Sequence, residues 1–97
     1  MSIIRLIHIK VKPSEAQKAL LVWKKDCGPL MIKQKGCLSE KLLECEDVPG
    51  EYISYSEWES QEDIDRYRDS ANHKKIRQDA RALQGAQAVV KCYKVAG

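Results

Sequence analysis

The sequence predicts an α+β fold, a four-stranded antiparallel sheet carrying two helices on one face, with the elements in the order β-α-β-β-α-β. Three observations predict it. Stretches rich in β-branched, aromatic and other apolar residues at 3–12, 37–46, 51–57 and 88–95 are spaced as four short strands. Between the first and second strands, and again between the third and fourth, apolar residues recur at helical spacing. The connections are short, and short right-handed crossovers fold this order into a single ferredoxin-like layer pair.

In the first strand Ile3, Ile7, Ile9 and Val11 share one face, while Ile4, Leu6, His8 and Lys10 share the other. Apolar residues on both faces predict that both are covered. Lys12 is held extended by the following Pro13 and ends the strand. Ser14 and Gln17 stand at capping-box spacing, which predicts the helix start. Ala16, Leu20, Trp23 and Cys27 then form a buried stripe. Gly28-Pro29 predicts an interruption, Leu30 to Ile32 a further turn, and Gly36 the close of the element.

Asp47-Val48-Pro49-Gly50 is a turn signal, with proline pre-set for its second position and glycine free to take positive φ, so strands two and three form a hairpin. The third strand runs past Trp58 to Ser60, a good N-cap with Asp63 three residues on, where an acid suits the exposed amides. In the helix that follows, Ile64, Tyr67 and Ala71 fall in one sector, whereas Ile76, Ala80 and Leu83 lie about 120° away. That change of phase predicts a bend at Ser70-Ala71-Asn72-His73. Gly85 ends the helix, and the last strand follows.

Composition narrows the function classes. At 97 residues the chain, 1–97, is one domain with one modest core. The net charge of +3 comes from interleaved acids and bases, and the Lys74, Lys75 and Arg77 cluster with Asp79 nearby reads as a solvated helix face, not a nucleic-acid surface. No apolar run is long enough to cross a membrane, and the N-terminal stretch has no signal-peptide pattern, so a cytoplasmic location is expected. Cys27, Cys37, Cys45 and Cys92 form no C-x-x-C pair and no histidine stands at zinc-ligand spacing from them, so neither a metal site nor a disulfide is expected. Helices cover one sheet face only. The two-sided first strand therefore predicts a homodimer through the other.

Taken together, the element order, Gly36-Cys37-Leu38 at the second strand, the Pro-Gly hairpin, Glu57-Trp58-Glu59-Ser60 followed by Glu62-Asp63-Ile64, and Ser70-x-x-His73 resemble the antibiotic biosynthesis monooxygenase domain. The resemblance covers essentially the whole chain, and its most specific part is the Trp58-x-Ser60 junction with the Ser70–His73 turn. It implies a dimeric α/β barrel, two sheets face to face, with a pocket in each protomer between sheet and helices. It also implies either cofactor-free oxygenation of phenols and quinols or haem degradation. The haem-degrading branch carries an asparagine on the first strand, with a tryptophan early in the second helix and a histidine ten residues later. Here the helix positions hold Tyr67 and Arg77 and the first strand has no asparagine, so the resemblance does not extend to that branch. Many members hold histidine where this chain has Tyr67, and a tyrosine there is similar to the related stress-responsive barrels.

Cofactor-free oxygenation requires a dry apolar pocket, a base that favours the substrate phenolate, and polar groups that hold the resulting anion. His73 at the helix bend and Tyr67 before it are the candidate catalytic pair. Trp58, Tyr55, His8 and Trp23 are the candidate pocket residues. Each also has a packing role open to it, Trp23 above all, because it lies on the buried stripe. Two functions follow: a monooxygenase of a small aromatic or quinol compound that uses no metal or flavin, or a non-catalytic dimeric α/β barrel for ligand binding or stress response. Oxygen uptake separates them.

Overall fold

A computed structural model describes residues 2–81 and 87–96. Strands β1 (Ile3–Lys10), β2 (Cys37–Glu44), β3 (Glu51–Trp58) and β4 (Gln87–Tyr93) form one sheet in the order β2-β3-β1-β4. Every neighbouring pair is antiparallel, which is the ferredoxin-like arrangement. The helices are α1 (Ala16–Val22), α2 (Gly28–Ile32), α3 (Gln61–Arg68) and α4 (Ala71–Arg81). Among the described residues no helix is long and apolar enough to cross a membrane.

The two central strands set the layers. Tyr52, Ser54, Ser56 and Trp58 alternate onto the buried face of β3, and Glu51, Ile53, Tyr55 and Glu57 onto the other. Register places Ile3, Arg5, Ile7 and Ile9 of β1 opposite the buried set. Two apolar clusters hold the helices down at opposite ends of this face. Val11, Ala19 and Tyr52 make one, with the Tyr52 hydroxyl donating to the Ala16 carbonyl at 3.2 Å. Met31, Trp58, Ile64 and Tyr67 make the other.

The first helical region departs from expectation in two ways. Ser14 does not cap it. Pro13–Glu15 forms a 3₁₀ turn after Lys12, started by the fixed φ of Pro13. Nor does Gly28-Pro29 interrupt the helix. The chain widens into a π turn at Trp23–Cys27, and Gly28-Pro29 opens α2. Pro29 has no N–H to continue an α-helical ladder and its ring would crowd the carbonyl four residues back, and the wider turn accommodates both.

The bend in the second helical region is present as a break between α3 and α4 at Asp69-Ser70. The side chains of Ile76 and Ala80, and the expected helix end at Leu83 to Gly85, lie outside the described residues.

Gly36 fixes the start of β2. Its φ is +87°, and a Cβ placed there would stand 2.3 Å from the Asp63 carboxyl. The Gly36 carbonyl accepts the Glu59 amide at 2.8 Å, so this loop carries the junction that launches α3. The sheet face away from the helices carries half-buried Ile4, Leu6, Ile53 and Tyr55 and exposed Leu43, Val89 and Tyr93.

Candidate functional site between the sheet and the second helical layer

Ser60 caps α3: its hydroxyl accepts the Asp63 amide at 3.3 Å and donates to the Asp63 carboxylate at 2.9 Å. The Ser60 hydroxyl and then Arg66, 2.7 Å away, hold the Asp63 carboxyl below the usual range. With its start fixed in this way, α3 lays Ile64 and Tyr67 on the sheet. The Tyr67 ring stacks on Trp58, with 5.1 Å between centroids and 28° between planes. Trp58 is fully buried, and its indole N–H donates to the Ser56 hydroxyl at 2.9 Å.

The break between α3 and α4 then turns His73 inward. The Ser70 hydroxyl donates to the Tyr67 carbonyl at 2.5 Å and accepts the His73 amide at 3.2 Å, so one side chain both ends α3 and caps α4. His73 meets Tyr67 edge-on, at 5.0 Å between centroids. Burial lowers the His73 pKa, and the positive charges of Arg5 and Arg77 add to the effect, so the imidazole is neutral at pH 7 and able to accept a proton. Burial pushes the Tyr67 hydroxyl up to about 12, which leaves it a hydrogen-bond donor rather than a base.

Between the two apolar clusters the buried face is polar. Ser54 and Ser56 occupy the middle of β3, and the row through Ser56 runs from Arg5 on β1 to Glu40 on β2. The Arg5 guanidinium lies 5.8 Å from the Tyr67 ring centroid. Arg5 Nε and Nη1, Trp23 Nε1, Glu40 Oε2 and Ser54 Oγ are all buried without a hydrogen-bond partner among the described residues. Buried polar atoms without partners on the helix side of the sheet are groups that a polar ligand or water would satisfy. Burial raises the Glu40 carboxyl. It also pushes the Cys37 thiol, in the same layer, up to about 11, which keeps it protonated and poorly nucleophilic.

The structure brings together His73, Tyr67 and Trp58, three of the six residues singled out from the sequence. Trp23, in the π turn, belongs to the same interior: its ring edge and the Glu40 carboxylate both stand against Gly28. Tyr55 and His8 do not join them. Strand alternation puts both on the opposite sheet face, Tyr55 with the Lys41 ammonium 5.9 Å from its ring centroid. His8 is exposed and lines a separate surface groove of about 410 Å³ with Lys10, Leu43, Cys45 and Glu51.

Arg5, Glu40, Ser54 and Ser56 were not anticipated. The signal for Arg5 was a charge at an inward position, in register with Ile3, Ile7 and Ile9. For the serines it was a pair of small polar residues between Tyr52 and Trp58 on one face.

Among the described residues no group of three or more histidine, cysteine or acidic side chains is placed to hold a metal ion. The interior holds a neutral imidazole, a phenol donor, an aromatic stack and a buried guanidinium.

Residues 2–79 match the family model described as antibiotic biosynthesis monooxygenase. No curated protein matches the sequence. Solved structures resemble the fold over nearly its full length. A conserved protein of Methanosarcina mazei Go1 superposes with a TM-score of 0.85 at 18% identity, covering 97% of this chain and 92% of its own. A candidate antibiotic biosynthesis monooxygenase of Nitrosomonas europaea gives 0.84 at 13% identity, covering 98% and 99%. SnoaB, a cofactor-independent oxygenase of Streptomyces nogalater, gives 0.78 at 13% identity, covering 99% and 94%. At such identities the structural likeness is one of fold.

Proposed function

Because the chain belongs to the antibiotic biosynthesis monooxygenase family, we propose that it is a cofactor-independent monooxygenase of a small aromatic phenol or quinol, acting as a homodimer. The observation that carries this reading is the neutral His73, held edge-on to Tyr67 beside a buried and unmatched polar interior. A base that is neutral at the working pH is what phenol ionisation needs. The cofactor-independent oxygenase SnoaB, similar in fold, is consistent with it.

The chemistry balances without an external reductant. His73 takes the phenolic proton, and the electron-rich phenolate ring forms a carbon–oxygen bond to O₂. His73 then returns that proton to the terminal peroxide oxygen. The ring carbon next gives up its hydrogen as a proton to His73, the O–O bond breaks, and hydroxide leaves to be protonated to water. The ring has then lost four electrons, O₂ has gained them, and the products are a quinone and one water. In this scheme Tyr67 donates a hydrogen bond to the developing oxyanion, and Trp58 and Trp23 exclude water.

Oxygen uptake with a panel of hydroquinones and naphthols, with no metal or flavin added, tests the proposal. Enzyme-dependent uptake together with quinone formation supports it. Uptake equal to the protein-free autoxidation rate across the panel, with ligand binding intact, would identify a non-catalytic binding barrel instead.

A further inference from the structure

Arginine is charged at every accessible pH, and burying it is expensive unless the charge is matched and its donors are satisfied. Arg5 is 3% exposed. Among the described residues neither Nε nor Nη1 has a hydrogen-bond partner and no carboxylate forms an ion pair with it. The acid on its row, half-buried Glu40, is separated from it by Ser56, and its Oε2 has no hydrogen-bond partner among the described residues. Two strand spacings put their Cα atoms about 10 Å apart. The Tyr67 face attracts the guanidinium but accepts none of its in-plane hydrogens in hydrogen bonds of ordinary geometry.

We infer that Arg5 is the receptor for an oxyanion on the ligand, so that the substrate class is an aromatic phenol already bearing a negative charge at neutral pH, as a carboxylate or as an ionised acidic hydroxyl. This rests on the pocket proposed above and adds its specificity. A carboxylate or enolate oxygen accepting from Arg5 satisfies the free donors and neutralises the buried charge in a single contact. It also anchors the attached ring over the low floor made by Ser54 and Ser56, on the helix side of the sheet where Tyr67 and His73 stand. Arg5 lowers the pKa of both Tyr67 and His73, and an anion seated on it would relieve that influence, so binding and the basicity of His73 are coupled.

Calorimetric titration against matched probes tests this. 1-Hydroxy-2-naphthoate supplies the carboxylate source, with 1-hydroxy-2-naphthamide as its neutral counterpart. 2-Hydroxy-1,4-naphthoquinone supplies the ionised hydroxyl, with its 2-methoxy ether as the neutral counterpart. The wild-type protein is expected to bind at least one anion on the order of tenfold more tightly than its neutral partner, and the pair that shows the preference names the source. Arg5→Met should abolish that preference, bringing the anion's affinity down to that of its neutral counterpart. Arg5→Lys should restore part of it. The melting temperature of Arg5→Met should hold or rise, since the change removes an unmatched buried charge.

Equal affinity for both members of each pair in the wild type, no saturable binding of any of the four probes, or a preference that survives Arg5→Met overturns the inference. So does an Arg5→Met protein that melts lower and loses anion and neutral binding alike, the pattern of a structural arginine. Should Arg5→Met fail to fold, the wild-type preference and the Arg5→Lys titration decide. The two readings fail separately. Anion-selective binding without oxygen uptake retains Arg5 and removes the oxygenase, whereas enzyme-dependent oxygen uptake by the wild type with the same kcat/KM for an anionic phenol and its neutral counterpart does the reverse.

Discussion

The imidazole of His73 stands edge-on to the Tyr67 ring, 5.0 Å between centroids and 75° between planes, and a single serine fixes both. The Ser70 hydroxyl donates to the carbonyl of Tyr67 and accepts the amide of His73, so the break in the helix is also the device that sets the pair. Both groups are thereby placed by backbone contacts, independently of any ligand.

If this pair is catalytic, His73→Ala and Tyr67→Phe should each lower turnover by on the order of 10²-fold while leaving the protein folded. A packing role gives the opposite pattern, a stability loss of roughly 0.5–3 kcal/mol with activity per folded molecule retained. Melting temperature and oxygen uptake measured on the same two preparations distinguish the cases.

Acid should act through His73. Its folded pKa lies below the ordinary 6.5, so the unfolded chain binds the proton more readily. The stabilising contribution of the neutral imidazole is complete above pH 6.5 and is lost as pH falls towards the lowered folded value. Denaturant titrations at a series of pH values should show stability declining over that window in wild type and a flatter profile in His73→Gln. Proton acceptance by His73 predicts that turnover falls over the same range.

Gly36→Ala should be among the more damaging single changes outside the pocket. It requires a side chain at φ +87° and sets a methyl 2.3 Å from the Asp63 carboxyl that Ser60 and Arg66 hold. A loss of roughly 1–3 kcal/mol is expected. Chemical denaturation would read it, and an unchanged midpoint would show that the Gly36 loop can move away from Asp63.

The proposed homodimer uses the sheet face away from the helices. Leu6 lies at its centre, opposite Tyr55 of β3 and Lys91 of β4. An obligate interface there should bury more than roughly 1,200 Å². Sedimentation should therefore give a dimer at micromolar concentration and a monomer for Leu6→Asp. A wild-type monomer would remove this face as the interface.

The strands were legible because period-two alternation and turn chemistry both report on local backbone geometry. Leu38 to Cys45, Pro49-Gly50 and Tyr52 to Trp58 specify a hairpin before any tertiary contact exists. The break at Asp69-Ser70 was legible as a phase shift between apolar sectors. The first helical region was less so. The same Gly28-Pro29 pair can stop a helix or start a new turn after a π widening, and burial of Cys27 together with packing of Met31 against Trp58 decides between them. The interior polar set was missed for a related reason. A lone arginine among isoleucines looks like surface alternation until the fold shows which face the helices cover, and the same ambiguity lets Tyr55 and His8 read as pocket residues.

The position of Ser54 and Ser56 between two apolar clusters means that this fold is held by apolar contacts at its ends and has small polar side chains in its middle. The ligand proposed above, seated there, would complete the core as a third cluster would. Occupancy and folding would then be one equilibrium: a ligand at a hundred times its dissociation constant adds about 2.7 kcal/mol, a large share of the stability of a domain this small. Filled molecules would outlast empty ones under proteolysis, and the amount of this protein that persists would rise and fall with the supply of what it binds.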